Sequence, residues 1–396
     1  MSTPWLTIIG IGEDGIDALS PTARALLCDA ELVVGGRRHL TLAERLIRGE
    51  RMSWSTPLAD AYPAILAARG RPVAVLASGD PFCHGVGTAL ARVVAPPEMR
   101  CLPAPSAFAL ARARLGWAAE TTETISFCGR KLATLAPLLQ PGARVLALSA
   151  DAATPAAIAA YLRERGFGAS TLHVMEALGG PQERIRTAAA ADFSLPDIHP
   201  LNLVALDLRA APDARIIPLA SGLPDSLFEH DGQFSRREAR AVTLSFLAPR
   251  RGELLWDIGA GSGAISIEWM LRHNANRAIA IETDPNRTAR IARNAESLGV
   301  PGLRIATGTA PNALAGLPAP DAVFLGGGAH RRGVIDAAWA ALKPEGRLVA
   351  NAVTIETEAV LLAARARLGG TLLRLSVERL DAVGAMHAYR PAMTVT

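Results

Sequence analysis

No apolar run in this chain approaches the roughly 20 residues that a membrane span needs. The opening Met1-Ser2-Thr3-Pro4-Trp5 has neither the basic region nor the apolar stretch of a signal peptide. A cytoplasmic protein, with no membrane partner, is therefore the expectation. Cysteine is sparse: Cys28, Cys83, Cys101 and Cys128 all fall in the first third, without metal-ligand spacing. That excludes a disulfide framework and gives no reason to expect a metal site, so the four read as reduced thiols. Aromatics make up only 5% of the residues, and the basic residues behind the net charge of +4 are scattered among acids. A nucleic-acid binder gathers its basic residues into a stripe with interleaved aromatics, so no nucleic-acid partner is expected. The doublets Arg250–Arg251 and Arg331–Arg332 suit small anionic substrates better. No stretch has the low-complexity composition of a disordered segment.

What the chain does have is apolar material, 50% of 396 residues, too much for one ordinary core. Short β-rich apolar runs alternate with Ala-rich helical stretches almost throughout, the pattern of an α/β protein. In the first half Trp5–Ile9, Leu32–Val34, Val73–Ala77, Val145–Leu148 and Leu201–Leu206 read as strands. Pro21–Leu27, capped by Ser20, and Thr154–Arg165 read as helices. Between Ala210 and Phe228 the rhythm breaks at Pro212, Pro218, Gly222 and Pro224, which places a seam there. The expected division is a domain over 1–211, a linker over 212–227 and a domain over 228–396. In the last of these, Leu254–Asp257, Ala278–Ile281, Leu303–Ala306, Ala322–Leu325 and Arg347–Asn351 read as strands. One strand and one helix about every 25 residues is the spacing of a doubly wound, Rossmann-like parallel sheet.

The loop Asp257-Ile258-Gly259-Ala260-Gly261-Ser262-Gly263-Ala264 lies between the first of these strands and a helix starting near Ile265. Gly259-x-Gly261-x-x-Ala264, with Glu282 further on, satisfies the dinucleotide fingerprint. Charge argues against NAD, because a pyrophosphate on the helix N-terminus would meet the Asp257 carboxylate at close range. Adenosylmethionine carries no phosphate. Asp257 could hold its ammonium, Glu282 could accept both ribose hydroxyls, and the glycines let backbone approach the ligand. Gly10-Ile11-Gly12-Glu13-Asp14-Gly15 repeats the glycine pattern in the first half. Its two acids repel phosphate, so it reads as a turn beside some other ligand.

Several runs carry a resemblance to known families. The second half resembles the decarboxylating precorrin methyltransferase of cobalamin (vitamin B12) biosynthesis. The matching runs are Ser235-Arg236-Arg237-Glu238-Ala239-Arg240, the glycine loop, Gly308-Thr309-Ala310-Pro311, Phe324-Leu325-Gly326-Gly327-Gly328 and Asn351-Ala352-Val353-Thr354. The first half resembles the tetrapyrrole methylases, through Val34-Gly35-Gly36-Arg37, Ser78-Gly79-Asp80-Pro81-Phe82, Pro103-Ala104-Pro105-Ser106 and Glu176-Ala177-Leu178-Gly179. Both in one chain, in this order, is similar to the precorrin-6Y C5,15-methyltransferase family. Cys128 stands where that pattern has histidine, and Ser235-Arg236 where Thr-Lys is usual; size or charge is preserved.

The resemblance implies a tetrapyrrole methylase of two α/β subdomains followed by a class I methyltransferase. It implies methylation of precorrin-6Y (6B) at C-5 by the first domain. Methylation at C-15, with loss of the C-12 acetate carboxyl to give precorrin-8X, falls to the second. A methyltransferase acting on RNA or another small molecule is the alternative. Two adenosylmethionine sites are implied, one of Ser235, Asp257, Gly259 to Gly263, Glu282, Gly308, Thr309 and Ala310. The other would hold Gly12, Gly79, Asp80, Ser106 and Ala107. Gly326, Gly327, Gly328, Arg331, Arg332 and Asn351 are expected at the macrocycle and its carboxylates. Asn351, Thr354 and Glu268 are candidates for assisting decarboxylation, although Glu268 on an early helical turn is more often a solvated or capping acid. Ser235-x-x-Glu238 is a capping box opening a helix over Ala239–Leu247. His39 and His84 could serve as bases, but without a partner in view each reads as structural. A homo-oligomer is expected.

Overall fold

Strands buried on both faces explain why so many apolar runs are continuous rather than alternating. In the computed structural model, which describes residues 4–396, β1 Leu6–Ile11 is buried along its whole length. The first three residues of the stretch examined for a signal peptide lie outside the described residues. Among those described, no helix is long and apolar enough to cross a membrane. The chain divides into two units, Met1–Leu132 with Gln140–Arg215, and Ala133–Leu139 with Ile216–Thr396.

The first unit contains two sheets. β1, β2 Leu32–Gly35, β3 Glu50–Ser53, β4 Val73–Ser78 and β5 Met99–Leu102 form an all-parallel sheet in the order β3-β2-β4-β1-β5. β6 Thr122–Ser126, β7 Arg144–Leu148, β8 Thr171–Glu176, β9 Arg184–Ala189 and β10 Asn202–Asp207 form a mixed sheet in the order β6-β7-β10-β8-β9. The helix Pro21–Cys28 starts as its sequence dictates, with the Ser20 hydroxyl accepting from the Ala23 N–H and proline at the first turn.

In the second unit β11 Leu254–Ile258, β12 Arg277–Glu282, β13 Arg304–Thr307, β14 Ala322–Leu325 and β15 Arg347–Ala350 make a parallel sheet in the order β13-β12-β11-β14-β15. Its order reverses beside β11, so the C-terminal ends of β11, β12 and β14 open onto one crevice, the usual ligand position in such sheets. A hairpin of β16 Leu375–Val383 and β17 Met386–Val395 forms a separate two-stranded sheet. The sequence patterning above did not anticipate it. Its signal is the two-residue loop Gly384-Ala385, with glycine at the first position at φ +62°.

The Pro- and Gly-broken stretch at the start of the second unit, from Ile216 onward, is packed rather than loose. Leu223 is fully buried, and the N–H groups of Gly222 and Leu223 donate to the Glu268 carboxylate at 2.7 and 3.1 Å. Glu268 also takes the Nε of Arg240 at 2.8 Å, and neither side chain touches solvent. Arg240 continues to Asp225 and to the carbonyls of Ser235 and Leu223, so four partners converge on one buried guanidinium. Replacing Arg240 by Met leaves the Glu268 charge buried with only backbone donors. The expected loss is about 3–5 kcal/mol in chemical denaturation. A double replacement that also removes Glu268 should cost less than the sum of the single ones.

Candidate active sites

The crevice of the second unit is built on a loop that only glycine can make. Gly259 follows β11 at φ +73°, and a Cβ there would lie 2.9 Å from the backbone N and O of Gly327. The loop after β11 and the loop after β14 therefore touch backbone to backbone. The N–H groups of Gly259 and Ala260 both donate to the Ile281 carbonyl of β12, and Gly263 opens the helix Ala264–Leu271. Glu282 ends β12 with its carboxylate filled by backbone donors. Gly261 N–H meets one oxygen at 2.9 Å, and Thr283 and Asp284 N–H meet the other at 2.8 and 3.1 Å.

The resulting cleft, ≈ 580 Å³, lies within the roughly 300–1,000 Å³ of small-molecule sites. Of the residues expected at the cofactor, Ser235, Gly259, Ala260, Gly261, Ser262, Glu282, Gly308 and Ala310 line it. Of those expected at the substrate, Gly326, Gly327, Gly328, Arg331 and Asn351 do so. Arg331 is exposed at Gly328, with no carboxylate partner among the described residues. Asn351 donates its amide to the Thr243 hydroxyl at 2.9 Å.

Five expectations are corrected by this geometry. Asp257 does not face the cleft. Its Oδ2 accepts from the Ser266 N–H at 3.1 Å and hydroxyl at 2.7 Å, tying β11 to the following helix from beneath the loop. Its Oδ1 is buried without a protein partner. Glu268 is neither a solvated acid nor placed for chemistry, because Arg240, Gly222 and Leu223 use its carboxylate away from the cleft. Thr354 caps the helix Ile355–Leu368 by accepting from Thr357 N–H. Gly263, Thr309 and Arg332 lie outside the cleft lining. The helix expected over Ala239–Leu247 begins at Arg237, with Arg236 as its cap residue and no side-chain cap, so the Ser235 capping box does not form.

The cleft also has a wall that sequence reasoning missed: Gln233, Phe234, Thr283 and Arg287. Asp231 pairs with Arg287 at 3.0 Å and Arg290 at 2.9 Å, and Arg287 also donates to Gln233. Arg236 and Arg240 lie over the Phe234 ring at 5.3 and 5.2 Å, and His230 stacks on it at 4.2 Å. The pairs that tie Asp231 and Gln233 to Arg287 and Arg290 join residues more than 50 positions apart, and no local pattern announces them.

The first unit has its own cleft, ≈ 440 Å³, between its two sheets. Gly12, Gly79, Asp80, Ser106 and Ala107 all line it, with Leu148, Met175 and Asn202 facing them from the mixed sheet. Gly79 has φ +52°, and a Cβ there would lie 2.8 Å from the Pro105 carbonyl, so the two turns close against each other. Ser106 caps the helix Ala107–Leu115, and Asp80 accepts from the Phe82 N–H. Glu13, in the glycine turn judged unfit for phosphate, forms an ion pair with Arg38 at this cleft.

Two clefts, one per unit, match two families. The tetrapyrrole (corrin/porphyrin) methylases match residues 5–193, and the family described as precorrin methyltransferase domain matches residues 226–396. A Sinorhizobium precorrin-6Y C(5,15)-methyltransferase (decarboxylating) is 56% identical over the whole of this chain and 95% of its own length. The chain belongs to the decarboxylating precorrin-6Y C(5,15)-methyltransferase family. The relative of that name from Mycobacterium tuberculosis is 39% identical over 99% of this chain and 98% of its own. A cobalt-precorrin-6B C(15)-methyltransferase (decarboxylating) of Salmonella typhimurium is 34% identical over 40% of this chain and 83% of its own length. Members of this family are adenosylmethionine-dependent C-methyltransferases. The cleft chemistry of the second unit fits such a cofactor, since a carboxylate closes one strand, glycine backbone the next, and no phosphate-binding cation sits on the loop.

Burial pushes the Asp257 carboxyl up to about 6; the two Ser266 bonds offset part of this and the Glu282 charge adds to it. An acid with a raised folded-state pKa favours the fold fully below its ordinary pKa, near pH 4. That contribution is lost as pH rises towards about 6. Asp257→Asn removes the loss while keeping an acceptor for Ser266. The cofactor-free variant should therefore gain stability over the parent between pH 4 and 6 and hold that gain to pH 8. The expected gain is on the order of 1–3 kcal/mol. A gap that stays constant from pH 4 to 8 in denaturation curves would refute this account of Asp257.

Proposed function

We propose that the chain performs two methyl transfers and one decarboxylation on a precorrin in cobalamin biosynthesis, with a separate adenosylmethionine site in each unit. The reading rests on one observation: each unit walls its own cleft with the residues matching its own family. The tetrapyrrole methylase unit, taken as 1–211, is assigned the C-5 methyl. The unit from 228 onward, joined through 212–227, is assigned the C-15 methyl and loss of the C-12 acetate carboxyl, giving precorrin-8X. A nucleic-acid substrate is not favoured, and a cytoplasmic location suits the pathway.

Bound adenosylmethionine supplies an electrophilic methyl group on a sulfonium. What the protein adds is alignment and exclusion of water. In the second unit Glu282 and the loop Gly259 to Ser262 would hold the nucleoside end, with Gly308 and Ala310 beside it. Ser235, at the foot of the Phe234 wall, would face the methionine end. Asp257 contributes from below, by fixing Ser266 and hence the loop. Gly326, Gly327 and Gly328 offer a side-chain-free surface to a flat macrocycle, and the unpaired Arg331 a clamp for a peripheral carboxylate. Asn351 stays the candidate beside the departing carboxylate. In the first unit Gly12, Gly79, Asp80, Ser106 and Ala107 would hold the second cofactor. Assembly into a homo-oligomer is supported by the hairpin β16–β17, which leaves Leu380, Met386 and Tyr389 more than half exposed.

The test is a methyl count. Incubated with precorrin-6Y and methyl-labelled adenosylmethionine, the parent should add two labelled methyls and release one carbon dioxide. Glu282→Ala should add one methyl and release none, and calorimetry should find one cofactor per chain in place of two. Loss of both methyls from a folded Glu282→Ala protein would overturn the assignment of independent sites.

A further inference from the structure

The two methylations differ in their charge balance. A carbon that gains a methyl as a cation equivalent, with the former bonding pair left on sulfur, must give up another cation. When a carboxylate departs as carbon dioxide, the electron pair it leaves supplies the balance and no net proton is lost. When nothing else leaves, a C–H proton must go, and the site needs somewhere to put it. The second cleft matches the first case: Glu282 is the sole acid in its lining, already filled by backbone donors, and no histidine lines it among the described residues. The first cleft is furnished differently.

We propose that Ser78 and His39 form the proton-accepting pair of the first cleft, serving the methylation that is not coupled to decarboxylation. This rests on the assignment of the two reactions to the two units made above. Ser78 is the last residue of β4, its side chain at the mouth of the cleft. His39 sits on the short helix Arg37–Leu42 that follows β2, the strand beside β4. The His39 Nε2 lies 2.9 Å from the Ser78 Oγ and 2.9 Å from Arg38 Nη2, which is itself 2.9 Å from the Ser78 Oγ. A guanidinium can only donate, so Nε2 presents its lone pair and the ring proton sits on Nδ1, which is buried without a protein partner. Burial and the Arg38 charge pull the imidazole down to about 4, which keeps it neutral at physiological pH while lowering its basicity, so the proton it takes is passed on quickly.

Of the other ionisable groups lining the cleft, burial raises the Cys83 thiol and the Cys128 thiol donates to the Ser149 carbonyl. Glu13 holds Arg38, Asp80 accepts from Phe82 N–H, and His84 stacks edge-on against Phe108. The step balances as follows. A π pair of the macrocycle forms the new carbon–carbon bond, and the C–H bond at that carbon then breaks with its pair returning to the conjugated system. The proton passes to the Ser78 Oγ while the hydroxyl proton moves to His39 Nε2. The resulting imidazolium, beside Arg38, is a strong acid and returns its proton to water.

The test uses the full chain. Without substrate or cofactor, nitrogen NMR of the histidines should find His39 protonated on Nδ1 and neutral down to near pH 4, with Arg38→Met raising its pKa. With precorrin-6Y and labelled adenosylmethionine, His39→Gln should slow the uncoupled methylation about 100-fold or more at nearly unchanged KM. The coupled methyl and its carbon dioxide should persist, and added imidazole should partly restore His39→Ala. Ser78→Ala, at an exposed hydroxyl, should slow the same transfer and decides the matter should the histidine variants fail to fold. A rate within about threefold of the parent in both His39→Gln and Ser78→Ala overturns the proposal. So does a rise in KM at unchanged kcat, or a kcat loss in His84→Gln with none in His39→Gln. Loss of the decarboxylating transfer in His39→Gln overturns the assignment of reactions to units along with the pair. Loss of neither overturns the pair alone.

Discussion

The second unit is organised around one buried guanidinium. Arg240 has no solvent to satisfy its donors, so every one it uses must find protein, and its four partners come from three separate stretches of chain. Glu268 neutralises it from the helix behind the glycine loop, Asp225 from the segment entering the unit, and the carbonyls of Leu223 and Ser235 from either side. The rings of Phe228 and Phe234 cover it at 4.9 and 5.2 Å. The charge thereby gathers a proline- and glycine-broken segment, whose only regular element is the one-turn 3-10 helix Asp225–Leu227, into a defined wall beside the ligand cleft. A hydrophobic residue in its place could fill the volume but could not dictate where two backbone carbonyls lie.

How much of this was legible depended on the range over which each interaction acts. The buried parallel strands announced themselves because a strand covered on both faces must be mostly apolar, as in β14 and in β4 from Val73 to Ala77. The edge strand β9, which alternates Arg184, Arg186 and small residues in partial solvent, carried no such mark. The glycine loop and Glu282 were readable from spacing along the chain. The orientation of Asp257 was not, because a carboxylate before a glycine turn can face the ligand or the helix behind it, and the Ser266 hydroxyl decides for the helix. Glu268 misled for a related reason: its Arg240 partner is 28 residues away. The pairing of Asp231 with Arg287 and Arg290 is longer in range still, so the Phe234 wall was invisible.

The two clefts are furnished to different degrees. The crevice on the second unit's sheet is poor in titratable side chains and rich in backbone, which suits a reaction whose electron balance is closed by a leaving carboxylate. The cleft between the two sheets of the first unit places a serine, a histidine and an arginine within 2.9 Å of one another.

The saturated carboxylate of Glu282 carries a further consequence. Its three backbone donors come from two different loops, so its rotamer is set before any ligand arrives. A flexible glutamate would lose about 0.5–1.5 kcal/mol of side-chain freedom on being immobilised by a ligand. That loss has already been incurred in folding. Discrimination at this edge of the cleft is then a matter of rigid shape, with no adjustment offered to a ligand that does not fit.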